Sequence, residues 1–500
     1  MLKLRPSLPF LLCGLSALLT GLLSFLMLRG TALSGLLWPL VGACVAAVLG
    51  ALLLLAHRRG WPAQRLFLLL FLPLSLMMLL AMPIGRVPDE DSHLQRIFLL
   101  SEGQLFPSDD RPLTEPEGLL EGISDTDTTH ADLARMRGEA LSDTRVTSSA
   151  GFNTGVYPLI SYAPQALAMA LVRLFTSDRL AVLYAGRLGG WLATVLLLYL
   201  AVRLLPRGRY GLIALCLMPV LLQEGMSASV DGLAMGAVSL LTAWTLRLRL
   251  SGGRLTGRHT LQAALLCLLT VACKMIYAPF ILILLLLPAA QWGSRGAKAR
   301  SLGAAWGITL VLSLGWLALC YVRYVAGQTM EEGVSGLGTI LPQLRSMLTH
   351  PLTLLSVLGR TVVSRAYSWL HTMLGSGLSA LNISLPLAVL AVEAVGLAAV
   401  WGTDDALPAC GLRGPRVLLP VCGLLSLLVM LIALYAWWNP YQAQLIEGLQ
   451  GRYLIPLLMP ALLALRFRRK ETQLTLSPML LTLCLPAALA AILRVWACCL

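Results

Sequence analysis

The chain has 500 residues, of which 57% are apolar and only 12% charged, with a mean hydropathy of +0.78. Soluble domains carry about a quarter charged residues, so this composition excludes a water-soluble globular fold. The net charge of +14 does not indicate a nucleic-acid binder, because the basic residues cluster in short loops between apolar runs, as in Arg58-Arg59, Arg203/Arg207/Arg209 and Arg466/Arg468/Arg469/Lys470. Such clusters set membrane topology and meet anionic lipid on the cytoplasmic side.

Apolar runs of about 20 residues recur along the chain, the length that crosses about 30 Å of hydrocarbon. Each must be helical, because lipid offers the backbone no hydrogen-bond partners. The basic start (Lys3, Arg5) and the long run after it predict an uncleaved first span rather than a signal peptide. Spans are expected at 8–28, 33–56, 66–84, 180–202, 210–223, 228–246, 261–274, 275–290, 303–325, 383–401, 416–437, 452–466 and 474–496, thirteen in all. The stretch 261–290 is one long apolar segment divided at Lys274 and Pro279. Placing the N-terminus in the cytoplasm puts 57–65, 203–209, 247–258, 295–300, 404–415 and 466–471 inside. The basic-poor loops 29–32, 85–156, 224–227, 326–382 and 438–451 then face outward. The expectation is a multi-pass cell-membrane protein, all-α, in three parts. These are N-terminal transmembrane helices (1–84), an extracytoplasmic acidic loop with an interfacial helix (85–179), and a transmembrane core (180–500) with a second outer loop at 326–382.

The loop 85–156 holds 14 of the 24 acidic residues and only six arginines, and it is long enough to fold as a cap. After it, 157–175 is apolar and amphipathic but carries Pro158 and Pro164, and counting it as a span would break the charge alternation. It reads as a helix lying along the outer membrane face, and 352–372, with Arg360, Arg365 and His371 on a polar side, reads the same way. Most of the eleven cysteines lie inside apolar runs and none has metal-ligand spacing. No internal repeat is visible.

The sharpest polar feature is Arg86-Val87-Pro88-Asp89-Glu90-Asp91-Ser92-His93-Leu94-Gln95-Arg96, just after the third span. A helix starting at Pro88 would put its acids at the positive end of the helix dipole. It would also align Asp89, His93 and Arg96 on one face, at i, i+4 and i+7. That face suits proton abstraction beside an anionic group, and it equally suits a well-capped helix start with a solvated side. Glu224, Ser227, Ser229 and Asp231 fall at the outer start of a span, with Ser227 and Asp231 one turn apart. An ionisable residue there is a functional candidate, the alternative being a serine-satisfied contact between helices. Lys274 stands between two apolar segments, and Arg452-Tyr453 follows Gln450-Gly451 before a span. Snorkelling and interfacial anchoring compete there with phosphate binding, for which arginine is the natural fork. Cations and acids from distant parts of the chain thus converge on one side of the membrane. An outward, partly dry cavity of this kind suits a lipid-linked phosphate. The acids 89–91 also leave room for a divalent metal, although their spacing does not demand one. No P-loop, dinucleotide fingerprint, zinc spacing or Gly-x-Ser-x-Gly elbow is present.

The stretch Val87-Pro88-Asp89-Glu90, His93, Arg96 and Leu100-Ser101-Glu102-Gly103 resembles the opening motif of domain-of-unknown-function family 2142 (DUF2142). This is a bacterial family of polytopic membrane proteins grouped with the GT-C glycosyltransferases. Tyr157-Pro158, Tyr162-Ala163-Pro164-Gln165, Gly186-Arg187-Leu188, Ser227-x-Ser229-x-Asp231, Lys274 with Tyr277 and Pro279, and Gly448-Leu449-Gln450-Gly451-Arg452-Tyr453 with Pro456 follow in the family's order. The resemblance implies a GT-C-like architecture and transfer of a sugar from a polyprenyl-phosphate donor to a cell-envelope glycan or lipid acceptor on the outer face. By position, Asp89 is implied as general base, with Glu90 as partner or alternative. Lys274 and Arg452 are implied as holders of the leaving phosphate. The catalytic candidates are therefore Asp89, Glu90 and His93, and the substrate-binding candidates Arg96, Ser227, Asp231, Lys274, Arg452 and Tyr453. Two further readings stand beside this one: a transporter or flippase of a lipid-linked glycan, and a non-catalytic subunit of an envelope-synthesis complex.

Overall fold

The computed structural model describes residues 7–107, 112–150, 152–324, 337–404, 413–465 and 476–500. The expected loop 466–471, most of 404–415 and the first part of the loop 326–382 lie outside the described residues. Among the described residues, eight helices are long and apolar enough to cross a membrane. They are Leu8–Leu28, Leu37–Arg58, Ala63–Ala81, Arg179–Leu204, Asp231–Ser251, Arg295–Tyr324, Gly414–Trp437 and Ser477–Cys498.

The other five expected spans are built from shorter or interrupted elements. Residues 210–223 form two short helices, Arg209–Cys216 and Pro219–Met226. Pro219 lacks the N–H that would continue the first helix and instead starts the second. The 261–290 stretch is the helix Gly257–Cys273, an extended Lys274, and a 3-10 helix Met275–Leu286 containing Pro279. Leu387–Thr403 and Gly451–Ala464 are apolar but short. The two short helices from Arg209 are enclosed by protein, every residue from 211 to 246 being buried. Interrupted backbone is tolerated at membrane depth when protein surrounds it.

Small residues bring the central helices close. A Cβ on Gly189 would come within 2.5 Å of the Pro164 carbonyl, and one on Gly232 within 2.9 Å of the Glu224 carbonyl. Close backbone approach at glycine is a general device of membrane helix packing.

The described residues of 85–156 fold into a cap on one end of the bundle. Two short strands, Thr114–Pro116 and Arg145–Thr147, pair antiparallel with Glu115 opposite Val146. The helix His130–Arg135 starts in a capping box made by Thr129 and Asp132. Leu94, Ile97, Phe98, Leu119 and Leu133 of the cap pack against Tyr162, Met169 and Val182 beneath. Arg179, at the start of a spanning helix, donates to the carbonyls of Gly118 (2.5 Å) and Glu121 (3.0 Å). The His130 amide donates to the Cys499 carbonyl at 2.8 Å, and its ring lies 5.0 Å from that of Trp496.

These contacts define two faces. The helices from Arg179 and Asp231 begin on the cap side, and that of Ala63–Ala81 ends there. Helices of this length carry the chain roughly 30 Å away, at 1.5 Å per residue. At the far ends the basic loops meet one another: Arg249 donates to the Leu286 carbonyl, and the Leu255 amide to the Gln291 carbonyl at 2.8 Å. The segment 157–175 is the helix Leu159–Arg173 and leaves Leu167, Leu171, Leu174 and Phe175 exposed. The segment 352–372 is the helix Pro351–Met373, exposing Leu352, Leu355, Val363 and Tyr367 while Arg365 pairs with Glu447.

Candidate functional site

The turn between Ala63–Ala81 and Glu90–Ser101 is held by a buried arginine. Arg187, in the middle of a spanning helix, donates to the carbonyls of Met82 (2.6 Å) and Pro83 (3.0 Å) and pairs with Glu90 at 2.5 Å. Both side chains of that pair are fully buried. Glu90 also accepts from the amides of Ala228 (2.8 Å) and Gly85 (2.9 Å). With every oxygen engaged and no solvent contact, Glu90 is an anchor; its expected place as an alternative catalytic carboxylate is corrected by this burial.

The helix begins at Glu90, not at Pro88, and Asp89 takes the left-handed conformation with φ 63° and ψ 5°. Its side chain makes no helix-capping bond. It is 61% exposed and pairs with Arg452 Nη2 at 2.5 Å. A reversal at Asp89 therefore sends three consecutive acids apart: Asp89 to Arg452, Glu90 to Arg187, and Asp91 to the amide of Ser92. Such diverging carboxylates do not converge on a divalent metal, and no His/Cys/Asp/Glu group able to hold one is found among the described residues.

The expected face of Asp89, His93 and Arg96 is corrected by the same reversal. Arg96 is fully buried and donates to Tyr324 Oη (3.1 Å) and the Leu105 carbonyl (2.9 Å). It holds the cap and does not reach Asp89's partner. His93 lies nearer the centre, its Nδ1 2.5 Å from Tyr162 Oη and its ring beside those of Tyr157 and Tyr162. Burial pushes the imidazole down to about 4, although Asp89 and Asp231 oppose that shift. Burial also raises the Tyr157 hydroxyl to about 12. Both groups are neutral near pH 7.

Beneath Asp89 lies a cluster of charges drawn from three distant segments. Arg452 sits on a 3-10 turn, Gly451–Leu454, at the start of the last expected outer-to-inner segment. Its Nη1 donates to the Pro88 carbonyl (3.0 Å) and is 3.8 Å from Glu224, and its Nε is 3.5 Å from Asp231 Oδ2. Lys274 pairs with Asp231 and stands 3.9 Å over the Tyr453 ring. Tyr453 Oη accepts from Arg452 Nη2 at 2.9 Å, and the Tyr453 carbonyl accepts from Tyr277 Oη at 2.9 Å. Asp231, Lys274 and Arg452 are each buried, in contrast to Asp89. Ser227 is not on the helix of Asp231, which begins at Asp231 itself. Its hydroxyl closes a turn by donating to the Glu224 carbonyl (3.0 Å), 2.8 Å from Ser229 Oγ.

Asp89, Asp231, Lys274, Arg452 and Tyr453 thus share one centre, His93 borders it, and Glu90, Arg96 and Ser227 support its surroundings. Reading the sequence named Arg187, Tyr157 and Tyr162 only within family motifs and gave them no role at the site. Arg187 carried a usable signal, an arginine in the middle of an otherwise apolar span. Beyond the centre, a polar groove of about 450 Å³ on the cap is lined by Asp91, Ser92, Gln95, Glu115, Glu121 and Ser149.

Fold and site together define a multi-pass helical membrane protein with a charged centre under a polar cap. The chain belongs to the family described as predicted membrane protein (DUF2142), whose profile matches residues 74–461. That match contains every residue of the charged centre. Comparison with curated proteins and with solved structures yields no match.

Proposed function

We propose that the protein is a GT-C-type glycosyltransferase. It would move a sugar from a polyprenyl-phosphate donor to a hydroxyl of a cell-envelope glycan or lipid, on the outer face of the membrane. The observation that carries this reading is Asp89: a solvent-exposed carboxylate held by Arg452 directly above two buried cations. A base open to an acceptor and cations placed where negative charge develops are the two requirements of such a transfer. Asp89 takes the proton of the acceptor hydroxyl as its oxygen bonds to the anomeric carbon. The bond from that carbon to the phosphate oxygen breaks, and the electron pair leaves with the phosphate toward Lys274 and Arg452. The polar groove that begins at Asp91 offers hydrogen-bond acceptors and hydroxyls suited to a sugar-bearing acceptor. Asp89→Asn keeps a residue that tolerates the left-handed backbone and removes the base. Transfer of labelled sugar from polyprenyl phosphate in membranes should fall by about a hundredfold or more, with unchanged extraction and melting in detergent. Undiminished transfer removes Asp89 from this role.

The buried network of Lys274, Asp231, Arg452 and Glu224 favours a second reading, a transporter or flippase of a lipid-linked glycan. Charges inside a helix bundle commonly mark transport pathways. In that case Asp89→Asn leaves movement of the lipid-linked glycan intact, and Lys274→Met abolishes it.

A further inference from the structure

Asp231 touches both cations of the centre. One oxygen pairs with Lys274, and the other lies 3.5 Å from Arg452 Nε. That Nε–H is buried and makes no hydrogen bond, so the guanidinium retains a donor that Asp231 does not satisfy. A carboxylate shared between an ammonium and a guanidinium occupies the place that suits two phosphate oxygens, because both cations favour that anion geometry. The charge balance is also unfavourable to a further anion. Among the described residues, the acids Asp89, Glu224 and Asp231 stand against the two cations Lys274 and Arg452. Adding a phosphate next to three carboxylates at low dielectric meets strong repulsion, and withdrawing one carboxylate relieves it.

We propose that Asp231 is an internal plug of an anion site: it fills the space between Lys274 and Arg452 when no ligand is bound and is displaced by a phosphate group. This rests on the reading above, in which these two cations receive the phosphate. It makes a prediction of unusual sign, since removing a buried residue of the site should tighten binding.

The test uses the full chain in detergent micelles and follows ligand-induced shifts in melting temperature. The ligands are farnesyl phosphate and, separately, inorganic phosphate. Asp231→Asn should bind about tenfold more tightly than wild type, a coupling of ordinary size between competing anions, whereas Lys274→Met should bind more weakly. Asp231→Ser serves as a second variant should the asparagine form not fold. A response to farnesyl phosphate alone identifies a lipid headgroup; responses to both ligands identify the phosphate group itself as the determinant, and either supports the plug. Binding by wild type that is equal or weaker in both Asp231 variants overturns the plug and leaves the phosphate site standing. Absence of binding in every form overturns both.

Discussion

His93 faces the rings of Tyr157 and Tyr162 on the cap side of the charged centre, and burial holds its imidazole at about 4 against an ordinary 6.5. Its folded-state value is depressed, so between these limits the unfolded chain binds a proton that the folded chain refuses. The resulting stability is fully present above about pH 6.5 and is lost as pH falls toward 4, on the order of 3 kcal/mol at most. His93→Gln should therefore flatten the fall in melting temperature between these pH values. An unchanged profile would assign the acid sensitivity to the carboxylates instead. At this scale Asp89 was legible as a candidate, since three adjacent acids beside a proline after an apolar run stand out. Their division of labour was not. A left-handed aspartate is uncommon, and the pull of Arg187 on Glu90 and of Arg452 on Asp89 helps to hold the chain in that reversal.

Arg452 is aimed by the turn that carries it. That turn packs so closely on the end of the helix Pro351–Met373 that a Cβ on Gly451 would lie 2.1 Å from the Met373 nitrogen and 2.5 Å from the Trp369 carbonyl. Neither atom can step aside, because both are backbone. Gly451→Ala should force the turn away from the helix and withdraw Arg452 from Asp89. The expected cost is about 1–3 kcal/mol of stability, read as a lower melting temperature, together with loss of transfer that restoring glycine reverses. The elements themselves were readable from apolar runs, each of which coincides with helical structure. Long helices are fewer than the expected spans because an apolar run need not form one continuous helix. Pro219 interrupts one such run, 210–223, and the helix Gly257–Cys273 ends at Lys274, where the Ser161 hydroxyl donates to the freed Ala272 carbonyl at 2.8 Å.

Across the whole molecule, acidic and basic surfaces lie at opposite ends of the bundle. The cap carries the acids and rests on the starts of spanning helices, and the Asn382 side chain donates to the Thr126 carbonyl at 2.9 Å, joining the second loop to the same face. The basic loops around Arg249 and Arg254 lie at the far end. If the cap faces the exterior, an impermeant maleimide labels Thr126→Cys on intact cells in a cysteine-depleted chain. Arg254→Cys is then labelled only after permeabilisation. The reverse pattern turns the protein over and removes the proposed site from the outer face. By itself, the sequence determined that the chain lives in a membrane, roughly where its helices run, and which polar residues gather at one end, because hydrocarbon thickness and loop charge act on every segment locally. Only the tertiary structure decided which acid meets which cation. Arg187 with Glu90, Asp89 with Arg452 and Lys274 with Asp231 are pairings between distant segments, chosen by how the helices pack and by the cost of leaving any buried charge alone.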